Sequence, residues 1–219
     1  LSYLYLLLLC YYTRIIRLCQ PNKINSIMAK TTYALFPDWV FTGDITLTPE
    51  IEKGIQEDLD SLDKGVKHNT TFGYTTLKEV PLTGNLRKLQ LLVGSYFIDA
   101  IKVKHKPALE RQVEVVEPTI VGVKPGHSLP VMLERNRWYN GCVWLQTTNK
   151  GSGLYMENFT GKRYSDPPGI QDYTHFEPGK QWKYCFWPAH IPAGFTPNAS
   201  MINTELFHCT FTAFPNPKK

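Results

Sequence analysis

The sequence predicts an α+β fold in which two N-terminal helices pack on a β-sandwich or jelly roll. Three observations lead there: two segments with helical spacing of apolar residues fall in the first half, short strand-like runs fill the second half, and no linker divides the two. Helices first and many strands afterwards is the order of an α+β chain rather than of alternating β-α units.

Tyr33 to Ile45 is an extended segment, apolar at Phe36, Trp39 to Phe41 and Ile45, and interrupted by Pro37. A helix follows. Thr48 suits the N-cap, Pro49 the first helical position and Glu50 the positive end of the helix dipole. Ile51, Ile55, Leu59 and Leu62 then recur at helical spacing, and Gly65 is placed to end the helix. A second helix is expected from about Thr83 to Lys104, with Leu86, Leu89, Val93, Phe97, Ala100 and Ile101 as its buried stripe. From Gln112 the β-branched run through Val123 reads as strand, and Pro125-Gly126 as a turn. Trp138–Thr147, Leu154–Glu157, Trp182–Trp187 and Leu206–Phe214 are further strands, and Thr160–Asp172, rich in Gly, Pro and Asp, is a loop. Lys150-Gly151-Ser152-Gly153 lacks the spacing of a phosphate loop and reads as a hairpin turn.

The 219 residues carry 24 basic and 19 acidic side chains, a net +5. Arg14, Arg17 and Lys23 lie in the first 27 residues, which hold no acid, so the remainder is close to +2. A nearly neutral domain without a polybasic run gives no reason to expect nucleic-acid binding. Residues 1–27 are strongly apolar at their start, yet the apolar run is too short for a membrane span and its basic residues follow it rather than precede it. Met28-Ala-Lys has the form of a natural start. The expectation is a segment 1–27 of upstream or truncated sequence, with a membrane anchor as its alternative, and a single domain over 28–219.

Cys10, Cys19, Cys142, Cys185 and Cys209 have neither disulfide-scaffold nor zinc spacing. Free thiols in a reducing, cytoplasmic setting are expected. Asn69-Thr70-Thr71, Asn158-Phe159-Thr160 and Asn198-Ala199-Ser200 match the glycosylation triplet, which matters only in a secreted protein. The six histidines are expected to form no His-x-His or His-x-Asp/Glu pair, the pattern that puts two ligands on one face of a strand.

Two blocks carry a family resemblance. The first is VKPGHSLPVMLERNRWYNGCVWLQ, Val123 to Gln146, followed by Gly153-Leu154. The second runs from Glu177-Pro178-Gly179 through YCFWPAHIPAGFTPN, Tyr184 to Asn198, to the strand ending at Phe214. Together they resemble the core of the 2-oxoglutarate/Fe(II) oxygenases, especially those of marine phages, over about half the chain. The resemblance implies a double-stranded β-helix, the cupin-like jelly roll. It also implies two histidine ligands shortly before an Asn-x-Trp, a third after a Phe-Pro segment, and an arginine for the cosubstrate.

This sequence departs from that pattern at each of those positions. With Asn136 and Trp138 as anchors, the first two ligands fall on Met132 and Glu134; with Pro188 and Pro197-Asn198, the third falls on Ala193 and the arginine near Leu206. A thioether and a methyl group cannot replace imidazoles for Fe(II), and leucine cannot pair with a carboxylate. The expectation is a non-catalytic protein without cofactor, with a structural or binding role as an accessory or virion component, and with a pocket marked by Met132, Glu134, Trp144, His190, Ala193, Leu206 and His208. The partner is left open between a homo-oligomer and a virion assembly, since no residue argues for either. The alternative is an active dioxygenase using Fe(II) and 2-oxoglutarate at a relocated site such as Glu134, His190 and His208. The many aromatics, Trp138, Tyr139, Trp144, Tyr155, Trp182, Tyr184 and Trp187, suggest either a core or a carbohydrate-stacking surface.

Overall fold

The computed structural model describes residues 31–35, 38–62, 67–76, 82–102, 111–133, 136–157 and 173–215. Gly65, the 160–172 loop and the 1–27 segment lie outside them, but the first helix ends earlier than expected, at Asp60 with Ser61 as its C-cap, so Leu62 of the expected stripe lies beyond it. Among the described residues no helix is long and apolar enough to cross a membrane.

Two strands open the fold, β1 (Thr31–Leu35) and β2 (Asp38–Asp44), where the sequence suggested one extended segment. Helix α1 (Pro49–Asp60) starts where its cap predicts, with Thr48 Oγ1 accepting from Ile51 N at 3.4 Å. A hairpin of β3 (Lys67–Thr70) and β4 (Gly73–Thr76) leads to α2 (Gly84–Lys102). Asp58 of α1 accepts from the backbone N–H groups of Asn85 and Leu86 at 2.5 and 3.2 Å, capping α2 with a negative charge and joining the helices. Strands β5 (Arg111–Val123), β6 (Tyr139–Gln146), β7 (Leu154–Glu157), β8 (Tyr173–Glu177), β9 (Lys183–Pro188), β10 (Ala193–Phe195) and β11 (Thr204–Pro215) complete the chain.

The strands form an eight-stranded sheet, in the order β1-β2-β9-β6-β11-β5-β4-β3, and a three-stranded sheet, β10-β7-β8. Every pairing between these strands is antiparallel. The 150–153 segment is a turn, with Gly151 N–H donating to Thr148 O, but not a hairpin. It carries the chain from β6 in the large sheet to β7 in the small one, because the apolar face of β6 needs a second layer over it.

Side chains of the large sheet alternate between two cores. On one face Tyr139, Val143, Leu145, Tyr184, Phe186, Phe207 and Phe211 meet the predicted stripe of α2. On the other, Cys142, Trp144, Cys185, Trp187 and Leu206 meet Leu154, Met156 and Phe195 of the small sheet. Phe97 of α2 stacks on Phe211 with ring centroids 3.8 Å apart and meets Phe186 and Trp138 edge-on. Gly141 makes room for this cluster, since a Cβ there would lie 2.7 Å from the Phe211 ring. Most of the aromatics suspected of forming a carbohydrate platform are therefore core: Tyr139, Trp144, Tyr184 and Trp187 are buried, and Trp138 and Trp182 pack against the helix-side cluster.

Phe97→Ala is expected to cost about 3–5 kcal/mol, the range for deleting a buried aromatic ring. Urea denaturation would show a lowered midpoint at unchanged slope. A loss below about 1 kcal/mol would mean that the stack does not hold α2 to the sheet.

Candidate functional site

Between the two sheets lies a cavity of about 180 Å³. Strand β11 contributes Leu206, His208 and Thr210, every second residue and so one face. Strand β5 contributes Val121, Thr119 and Glu117, which run in the opposite direction beside them. The facing wall is Leu129, Pro130, Met132 and Phe195, and Phe72 and Thr75 of the β3–β4 hairpin close one side. Glu117 is placed at the cavity by a bulge: His208 pairs with Thr119 but Thr210 with Val116, so β5 has one residue too many. Pro118 has no N–H for the ladder, and Glu117 takes φ 49°. Its carboxylate accepts from Arg137 Nη2 at 2.7 Å.

The structure brings together three of the residues singled out from the sequence. Met132, Leu206 and His208 line the cavity. Ala193 adjoins it: Met132 and Ala193 form an isolated antiparallel bridge, with Met132 N–H donating to Ala193 O at 2.7 Å and the reverse bond at 3.2 Å. Directly opposed residues in such a pair point to the same face, so the Ala193 methyl and the Met132 thioether lie side by side. Trp144 is buried beyond the cavity wall, packed on Phe195 at 6.1 Å, with Nε1 donating to Ser152 O at 2.8 Å. His190 is exposed on the turn before β10 and does not line the cavity. Glu134 lies outside the described residues.

Contrary to the expectation of no His-x-Asp/Glu pair, His175-Phe176-Glu177 is a His-x-Glu pair on β8. Glu177 is buried and its carboxylate accepts from the Lys183 ammonium, so a cation already neutralises it. The thiols of Cys142, Cys185 and Cys209 are buried and free, and burial pushes all three up, away from the thiolate form that binds metals. Among the described residues no group of three His, Cys, Asp or Glu side chains is arranged to hold a metal ion.

The two blocks that carry the sequence resemblance meet at Asn198. Its side-chain N–H groups donate to Val123 O and Ile202 O at 2.9 and 2.8 Å, while Gly126 N–H donates to its backbone oxygen at 2.7 Å. The side chain is fully buried, which takes Asn198 out of consideration as a glycosylation acceptor in the folded protein.

No family model matches the chain, and no curated protein matches it. Solved structures do. A Pseudomonas putida prolyl-4-hydroxylase superposes with a TM-score of 0.55 at 9% identity, over 79% of this chain and 92% of that one. A 2OG-Fe(II) oxygenase family oxidoreductase from Burkholderia pseudomallei gives 0.54 at 9%, over 78% and 84%. SnoN, a non-heme alpha ketoglutarate dependent epimerase from nogalamycin biosynthesis, gives 0.56 at 9%, over 79% and 78%. At these identities the likeness is one of fold: the chain has the jelly roll of the 2OG-Fe(II) oxygenases, with two helices on its large sheet.

The hairpin that closes the cavity is anchored by Tyr74, whose hydroxyl donates to the buried Glu205 carboxyl at 2.7 Å. Its ring lies over Gly122, where a Cβ would come within 2.1 Å. Burial raises the Glu205 pKa, with Tyr74 and Lys67 acting against the rise. A raised acid favours the folded state below its unfolded pKa and loses that contribution as pH rises through the folded value. Glu205→Gln keeps an acceptor for Tyr74 without a buried charge. It is expected to melt higher than the parent at pH 7, with the difference shrinking toward pH 4. Thermal melts across that range would check it, and a constant difference would show that folding does not shift the Glu205 pKa.

Proposed function

We propose that this chain is a non-catalytic jelly roll with a structural or binding role, which retains the oxygenase fold over a single 28–219 domain and a cavity inside it but does not hold ferrous iron. One observation carries the reading. The backbone pairs Met132 with Ala193 at the cavity, a geometry suited to two ligands of one ion, and the side chains there are a thioether and a methyl group. The resemblance assigns iron ligands to these two positions. Fe(II) of the oxygenase type needs imidazole and carboxylate donors, which this pair cannot supply. Leu206 stands where the resemblance places the arginine for the cosubstrate, and none of the described residues lining the cavity is Lys or Arg. Among the described residues, the donors at these positions therefore do not fit iron with 2-oxoglutarate.

Anaerobic loading with Fe(II), followed by metal analysis and measurement of succinate formed from 2-oxoglutarate, tests this. The expected result is iron well below one equivalent and no succinate above background. One tightly held iron per chain with succinate formation would overturn it. The paired positions make a second prediction: the double variant Met132→His, Ala193→His should bind Ni(II) at least about tenfold more tightly than the parent, because two imidazoles would then share one face. Equal affinity would show that the two positions do not form a common site.

A further inference from the structure

We propose that the cavity binds a small uncharged molecule with an amide-like polar end and an apolar body. This deepens the binding role proposed above and rests on it.

Along β11 the cavity wall changes from hydrocarbon at Leu206 to imidazole at His208 and hydroxyl at Thr210. Phe195 and Leu129 extend the apolar end. Cavities of about 150 Å³ accept benzene, so about 180 Å³ suits a guest of that size with a small polar group.

The polar end does not stop at the wall. Thr210 pairs across the ladder with Asn140, and Asn140 with Trp187. Asn140 alternates with Cys142 and Trp144, so it faces the space between the sheets. It is fully buried, and neither its amide oxygen nor its amide nitrogen has a hydrogen-bond partner; the same holds for the indole Nε1 of Trp187. Buried amide and indole groups are nearly always bonded, because leaving them unbonded is costly. Together they offer three N–H donors and a carbonyl acceptor, enough to satisfy a carboxamide; neither lines the cavity itself, and they lie directly behind its wall at Thr210.

Charge narrows the guest further. Arg137 is engaged by the cavity-lining Glu117, and the half-buried Lys183 by Glu177. An anion would be desolvated without a free counter-charge, and a cation would find Glu117 already neutralised.

The test uses the full chain with benzamide and cyclohexanecarboxamide, and with benzoate and cyclohexanecarboxylate as charged counterparts. The amides are expected to shift the Trp187 indole N–H resonance. They should also raise Tm by about 4 °C at about tenfold excess over Kd. The acids should do neither. Asn140→Leu should lose at least about tenfold in amide affinity without a fall in Tm, since it removes unbonded buried atoms; should the leucine variant not fold, Thr210→Val, which also deletes the Thr210 Oγ1 bond to Val116 O, should lose amide affinity by a similar factor. Amides without effect, acids binding as well, or variants binding as tightly as the parent would overturn the proposal. Iron with succinate formation would instead overturn the non-catalytic reading, so the two failures are told apart.

Discussion

The alternation of β11 is the constraint on which the rest of the molecule depends. This strand is paired on both sides, with β5 and with β6, and its residues divide strictly: Phe207, Cys209 and Phe211 turn toward the helices, while Leu206, His208 and Thr210 turn toward the cavity. A slip of one residue would bury His208 and Thr210 beneath α2 and push two phenylalanines into the space between the sheets. Two ladders hold the register, and both of their irregularities place the extra residue on a neighbour: the bulge at Glu117-Pro118 on β5, and Leu145 on β6 opposite Glu205 and Leu206. Each extra residue is absorbed by the neighbour, so the strand that carries both faces keeps its phase.

The two faces are covered differently, and this decides where function can reside. The helix side is aromatic and hydrocarbon packing centred on Phe97, whose four ring neighbours lie with centroids within 5.9 Å. Such a core has little tolerance for a guest, because its rings interdigitate at close to crystal density. The side facing the small sheet mixes thiols, an amide, hydroxyls and an imidazole among its apolar residues. A three-stranded cover over eight strands also leaves part of that face to loops and to the β3–β4 hairpin. Those elements, with Phe195 of β10, cover the cavity over its floor of β5 and β11.

What the sequence disclosed follows from how local each signal is. The Thr48-Pro49-Glu50 cap and the α2 stripe are contained within one turn or one helix face, and both helices form where expected. The long strands β5, β6, β9 and β11 announce themselves by β-branched and aromatic runs. Strand β10 spans three residues, Ala193-Gly194-Phe195, and exists only because β7 pairs with it; nothing within three residues encodes that. The β3–β4 hairpin turns through Thr71-Phe72 without the Asn-Gly or Asp-Gly signal that marks tight hairpins. The turn at 150–153 was legible, but whether it joins paired strands or crosses between sheets depends on which partner β6 takes. At the site, Met132 and Ala193 could be assigned only through the resemblance, since their meeting is a contact across 61 positions. Asn140 and Thr210 gave no signal, because a polar residue at every second strand position is ordinary for a sheet with one face in water.

That last ambiguity is where the physics is most specific. A second sheet over the polar face converts groups that would be satisfied by solvent into buried donors and acceptors. Each unbonded one costs about 1–3 kcal/mol, against a net stability of about 5–15 kcal/mol for a whole domain. Methionine at position 132 acts in the other direction: it is apolar, flexible and able to fill irregular space next to the Ala193 methyl. A jelly roll kept only for its architecture would gain from leucine or valine at position 140 as it does from methionine at 132. The cavity thus has a wall where apolar side chains replace metal chemistry, and behind its Thr210 wall lie polar atoms that stay buried at a cost. Water in such a place is displaced without loss only by a guest that reproduces its hydrogen bonds. A hydrocarbon would leave Asn140 unbonded and a carboxylate would lack a cation, whereas an amide, both donor and acceptor, meets both demands.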